Sequence, residues 1–150
     1  MGLDNGILIK PKTEKGAKFL EENFAHIKEK YCSEPTYEFA YFRKCWNIRA
    51  RFFEIYRELE STIANDNDNE YHLSFAIEDI PVLVEKVFKY FLIEENWEYD
   101  GICSQVFNWT EEIDSIAYAI RNLRFFYEDA TDPEDGITDE DVECYFYDSY

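Results

Sequence analysis

The segment TYEFAYFRKCWNIRARFFEIYRELES, residues 36–61, decides how the chain is divided. Within it Tyr41, Phe42, Cys45, Ile48, Phe52, Ile55, Tyr56 and Leu59 recur at i, i+3, i+4 and i+7, the period of one helix face. The pattern predicts a helix from Thr36 to about Ser61, opening just after the helix-breaking Pro35.

The flanking elements follow from the same rules. Upstream, Phe19, Leu20, Phe24 and Ile27 make Thr13 to Lys30 a helix of about four turns. Before it, Gly6-Ile-Leu-Ile-Lys10 is a short apolar run stopped by Pro11 and reads as a strand. Downstream, residues 65–69 (Asn-Asp-Asn-Asp-Asn) are a polar loop, and His72 to Ala76 is a short strand. Asp79 then serves as an N-cap with Pro81 in the first turn, opening a helix to about Glu94 along Val84, Val87, Phe88 and Phe91. Gly101 marks a hairpin turn between Trp97–Tyr99 and Ile102–Asn108. Thr110 caps a long helix whose stripe is Ile113, Ile116, Ala117, Ile120, Leu123 and Phe126 or Tyr127. The last segment stays open: Thr138-x-x-Asp141 suits a short helix, whereas Tyr145-Phe-Tyr147 favours a strand. No fixed-period repeat and no Gly- or Ser-rich linker interrupts the 150 residues. The fold expected is α+β and α-rich: one domain spanning 1–150, about four helices and a small sheet of short strands.

Aromatic residues make up 19% of the chain, against only 5 Gly and 4 Pro, which excludes a disordered or linker-like polypeptide. The formal net charge is -18, and a phosphate backbone is bound mostly through cations, so direct nucleic-acid binding is not expected. Position matters more than the total. Residues 1–60 carry 11 basic and 10 acidic side chains, whereas residues 90–150 carry 2 and 17. Glu128, Asp129, Asp132, Glu134, Asp135, Asp139, Glu140, Asp141, Glu143 and Asp148 lie in a C-terminal segment, about 128–150, that holds no Lys or Arg. An EF-hand does not explain them, because a Gly136 turn would put Pro133 at a ligand position and Val142 where the bidentate Glu belongs. The plain alternative is a solubilising tail. Against it stand Tyr127, Tyr145, Phe146, Tyr147 and Tyr150, since rings anchor protein interfaces while carboxylates steer them. The expected partner-binding set is Glu128, Asp129, Asp132, Glu134, Asp135, Asp139, Glu140, Asp141, Tyr145 and Tyr147.

Catalytic signatures are missing: the chain has no phosphate-binding G-x-x-x-x-G-K-[ST], no G-x-G-x-x-G, no G-x-S-x-G and no H-E-x-x-H. His26 and Cys32 are six residues apart, which is not one helix face, and no third group orients them. Cys32, Cys45, Cys103 and Cys144 form no C-x-x-C pair, so no metal and no cofactor are expected, and the thiols read as reduced. No run reaches the length of a membrane span and no secretory leader opens the chain, so it reads as soluble, with no membrane partner. One basic cluster stands against the acidic total: Arg43, Lys44, Arg49, Arg51 and Arg57. On the expected helix Arg43, Asn47 and Arg51 share a face with Lys44 close by, an alternative anion site for a nucleotide phosphate. The competing reading is that these cations meet the acidic third of the same molecule.

Met1-Gly-Leu-Asp4, with the apolar run after it, and Glu38-Phe-Ala-Tyr-Phe-Arg-Lys44, leading into Ile48 and Phe52, resemble a family of small uncharacterised proteins of tailed bacteriophages and prophages. These begin Met-Gly-Leu-Asp and carry a Tyr-(Trp or Phe)-Arg-Lys helix. Members usually show Asn and His two and five residues after the Arg-Lys pair, where this chain has Trp46 and Arg49, so only Arg43 and Lys44 carry over. The resemblance implies a protein expressed in the cytoplasm of an infected bacterial host. There, small acidic phage proteins without catalytic motifs antagonise host defence by occupying a nuclease's nucleic-acid groove or by sequestering a nucleotide signal. The expectation is therefore a non-enzymatic inhibitor, of anti-CRISPR type, that docks on the basic groove of a host-defence protein. The alternative is a nucleotide sponge using the basic helix at 43–57. Oligomeric state is open, a dimer included.

Overall fold

The computed structural model describes residues 4–30, 32–43, 45–65, 72–97 and 109–149. Strand β1 (Asp4–Pro11) pairs antiparallel on one side with β2 (Tyr37–Arg43) and on the other with β4 (Val142–Ser149); β3 (His72–Phe75) pairs with β4. The order is β2-β1-β4-β3, which puts the first and last strands side by side at the centre of an antiparallel sheet. The open question over the C-terminal segment is thus settled as strand. Val142, Cys144 and Phe146 alternate inward and are buried beside Ile9 and Ile7. Burying a Phe or Ile side chain stabilises a fold by about 1.5–3 kcal/mol, which favours pairing this segment into the sheet.

Residues 36–61 do not form one helix. Tyr37–Arg43 is β2, and only Trp46–Tyr56 is helical (α2). The reason lies in a β-bulge: Ile7 pairs with Ala40 but Leu8 pairs with Glu38, so Phe39 is the extra residue. Phe39 and Ala40 are both fully buried, and Tyr37, Phe39, Ala40 and Phe42 become the inward set. At 100° per residue these four would scatter around a helix, but Tyr41 and Phe42 continue the period of Cys45, Ile48 and Phe52, and that continuation extends the expected helix back over the strand. The Tyr41-Phe42-Arg43 part of the phage-like motif accordingly lies on a strand.

The helices cover one face of the sheet. Helix α1 (Glu14–Phe24) is shorter than expected and ends in a 3-10 turn, Ala25–Ile27. Its Phe19 and Phe24 meet Phe39 of β2 and Phe126 of α5 (Trp109–Ala130), with ring centroids 5.0–5.9 Å apart for the Phe24–Phe39, Phe39–Phe126 and Phe19–Phe126 pairs. Phe52 of α2 stacks on Phe146 of β4 at 4.1 Å. After α2 a single turn, α3 (Thr62–Asn65), is held to β3 by the Tyr56 hydroxyl, which sits 2.7 Å from the Ala64 carbonyl and 2.9 Å from that of Ser74.

Pro81 does lie in the first turn of α4 (Ile80–Leu83), but Asp79 does not cap that helix; its carboxylate turns back to accept from the Ala76 N–H at 2.8 Å. The helix continues as a π-helical turn, Val84–Phe88, and a 3-10 turn, Lys89–Leu92, close to the expected end. Most of the expected hairpin around Gly101 lies outside the described residues, and a 3-10 turn, Glu94–Trp97, occupies its start. On the sheet's other face stand Leu8, Glu38, Tyr41, Glu143, Tyr145, Tyr147 and His72, the positions alternating with the inward set.

Candidate acidic interface

The ten acids from Glu128 to Asp148 divide into two groups. One group holds the chain. Asp132 accepts from the Glu134 and Asp135 N–H groups at 2.8 and 3.0 Å, which keeps its carboxyl below the ordinary range. Behind it, the Gly136 and Ile137 N–H groups donate to the Asp132 and Ala130 carbonyls, folding the loop back onto the end of α5. A Cβ at Gly136 would fall 2.4 Å from both of those carbonyl oxygens, so only glycine fits there. Asp139 accepts from the Ile77 N–H at 2.8 Å; its carboxyl is raised, chiefly by burial. Asp141 accepts from the Thr138 N–H at 3.0 Å and from the Thr13 hydroxyl at 2.8 Å, bonds that hold its carboxyl low. That same Thr13 oxygen caps α1 by accepting from the Gly16 N–H. Asp148 pairs with Arg49, and Glu143 with His72 at 2.7 Å.

The second group faces water. Glu128, Asp129, Glu134, Asp135 and Glu140 are exposed and, among the described residues, form no ion pair. Glu128 and Asp129 occupy the last turn of the 22-residue α5, and that turn holds no basic residue. A helix carries a partial negative charge at its C-terminus, so carboxylates there are unfavourable by about 0.3–1 kcal/mol each. Asp129 registers the crowding: burial first, then Glu128 and Asp132, push its carboxyl up.

The two expected aromatic anchors lie elsewhere, on the sheet's outer face. Tyr145 is only 4% exposed, stacked on His72 with centroids 3.8 Å apart and with the Lys10 ammonium 5.6 Å from its ring. It is a packing residue. Tyr147 is half-buried across Gly6 from Tyr41, which is 40% exposed. Around them gather acids that sequence order keeps far apart. Burial, the Glu29 carboxylate and Asp4 push Glu38 up to about 7, and burial followed by Glu38 raises the Tyr147 phenol. This group of Asp4, Glu29, Glu38 and Tyr41 has no sequence signature; the β1–β2 register and the Lys28–Tyr37 bridge beside it bring the four together.

The alternative anion site is not assembled as a helix face. Arg43 is exposed at the end of β2, opposite Asp4, and Lys44 lies outside the described residues. Asn47 is buried, its side-chain carbonyl accepting from the Ile48 N–H. Arg51 lies 4.0 Å from the Tyr90 ring centroid and donates to the Lys86 carbonyl. Among the described residues no group of three or more His, Cys, Asp or Glu is arranged to hold a metal, and no helix is long and apolar enough to cross a membrane. Comparison of the chain with protein-family models, with curated proteins and with solved structures gives no match.

Proposed function

We propose that this chain acts by binding rather than catalysis, as an inhibitor that lays an acidic surface onto the basic, nucleic-acid-binding groove of a host-defence effector. The observation that carries the reading is the placement of Glu128, Asp129, Glu134, Asp135 and Glu140 at and beyond the negative end of α5, with no cation in the helix's last turn. Such an array costs the isolated fold stability, and an external cationic surface offsets that cost. The loop is also tied down by its own side chains. Asp132, Asp139 and Asp141 use their oxygens on backbone N–H groups and Thr13, so the remaining carboxylates project from a backbone that is already bonded in place.

The resemblance of Met1-Gly-Leu-Asp4 and Glu38–Lys44 to phage and prophage proteins supports a host-defence target, with CRISPR effectors the favoured class. The test is affinity for a purified effector and competition with its nucleic acid, using wild type and Glu134→Lys, Asp135→Lys, Glu140→Lys combined. These three make no side-chain bond in the loop, so the fold stays intact. Loss of affinity by about tenfold or more, about 1.4 kcal/mol, is expected. Unchanged affinity removes the mimicry mechanism.

A further inference from the structure

Arg121 and Arg124 are the only two cations in residues 90–150. Both are exposed on α5, and among the described residues neither forms an ion pair, even though Glu128 stands one turn beyond Arg124. Between them and the turn at Lys89–Leu92 runs a groove of about 440 Å³ lined by Leu92, Ala117, Ile120 and Phe125 together with the two arginines and Glu128. Phe125 is 53% exposed and Leu92 41%, and Ile93, the next residue in the chain, is 55% exposed. Scattered apolar side chains on a surface are ordinary; two of the five exposed large ones among the described residues, Leu92 and Phe125, lining one groove with Ile93 next in the chain are not.

The stripe Ala117, Arg121, Arg124, Phe125, Glu128 follows the 4-3-1-3 spacing of one helix face, with its ring near the middle, cations on the N-terminal side and a carboxylate on the C-terminal side. A two-fold axis between Arg124 and Phe125 would superimpose this stripe on its own reverse. Arg121 of one copy then meets Glu128 of the other, twice, and Arg124 meets the opposite Phe125 ring, an arrangement in which cation and π face attract. The stripe is self-complementary in charge, and its cations offset part of the repulsion that two chains of net charge -18 exert on each other.

We propose that this face binds a second copy of the chain, the two α5 helices crossing antiparallel at Phe125. The reading shares Glu128 with the acidic interface but is tested separately, since the charge reversals at Glu134, Asp135 and Glu140 leave Arg121, Phe125 and Glu128 untouched. Sedimentation velocity across micromolar to millimolar concentration is the measurement. A concentration-dependent dimer is expected for wild type and a monomer for Phe125→Asp, with circular dichroism showing that this exposed substitution leaves the fold in place. Arg121→Glu alone and Glu128→Arg alone should each weaken association by about tenfold or more, and the two together in one chain should restore it. A wild-type chain that stays monomeric overturns the proposal, as does a dimer insensitive to Phe125→Asp. A double reversal no better than the singles overturns the antiparallel pairing.

Discussion

Arg49 Nε donates to Asp148 Oδ2 across 2.6 Å, tying the basic helix α2 to the last strand of the acidic C-terminal segment. The Asp148 side chain has no solvent exposure, and the guanidinium is covered on one side by the Phe53 ring, its centroid 4.5 Å away. Part of the charge asymmetry of the sequence is thereby neutralised inside the molecule. The exposed carboxylates of residues 128–140 are not.

Removing one partner of this pair should cost more than removing both. Arg49→Leu leaves a buried carboxylate deprived of its nearest cation, with an expected loss of about 3 kcal/mol. Arg49→Leu with Asp148→Leu should lose distinctly less, and urea denaturation of the two variants decides it.

Asp141→Ala removes the acceptor of the Thr13 hydroxyl and of the Thr138 N–H at once, loosening the α1 cap and the β4 entry together. A loss of about 1–2 kcal/mol is expected near neutral pH. Because the folded carboxyl lies below the ordinary value of 3.8, the stability it contributes is present above that pH and disappears as pH falls through the folded value. Wild type and variant should therefore differ less in acid than at pH 7, as chemical denaturation at the two pH values will show.

Glu38 has the opposite sign. Its carboxyl is raised to about 7 from 4.5, first by burial and then by Glu29 and Asp4, so the folded state holds a proton that the unfolded state has released. Its contribution to stability is fully present below about pH 4.5 and is lost as pH rises through about 7. Glu38→Gln should leave stability unchanged at pH 4 and raise it at pH 8 by about 1–2 kcal/mol, after solvent screening of this half-exposed group. Thermal melts at the two pH values check the sign.

Gly16→Ala is a helix-favouring change by propensity, yet it should destabilise. A Cβ there would lie 2.0 Å from the Asp141 carbonyl oxygen, a backbone atom that moves only if α1 and the β4 entry separate. The expected loss is about 2 kcal/mol or more, against the gain of about 1 kcal/mol that Ala brings in an ordinary helix interior. Urea unfolding of the purified variant measures it.

Local signals in the sequence determined the elements whose pattern has one reading. Phe19, Leu20 and Phe24 specify α1; Ile116, Ile120, Leu123 and Phe126 specify α5; Pro11 ends β1. Helix period and chain-breaking residues act within a few turns, so no distant contact is needed to read them. The charge asymmetry is also plain in the sequence, because it is a sum over positions.

Tertiary structure decided the rest. Tyr41 and Phe42 continue the helical period of α2, whereas Tyr37, Phe39, Ala40 and Phe42 share a face only in a bulged strand, and the β1 edge, with its paired backbone groups at Asp4–Ile9, chose the strand. The acids of the C-terminal segment look alike in sequence, yet Asp132, Asp139, Asp141 and Asp148 hold the fold while Glu134, Asp135 and Glu140 face water. For Asp139, Asp141 and Asp148 the difference depends on where the Ile77 N–H, the Thr13 hydroxyl and the Arg49 guanidinium arrive, from residues up to 128 positions away. Asp132 finds its partners within three residues, whereas the roles of Asp139, Asp141 and Asp148 are set by partners that only the folded chain brings to them.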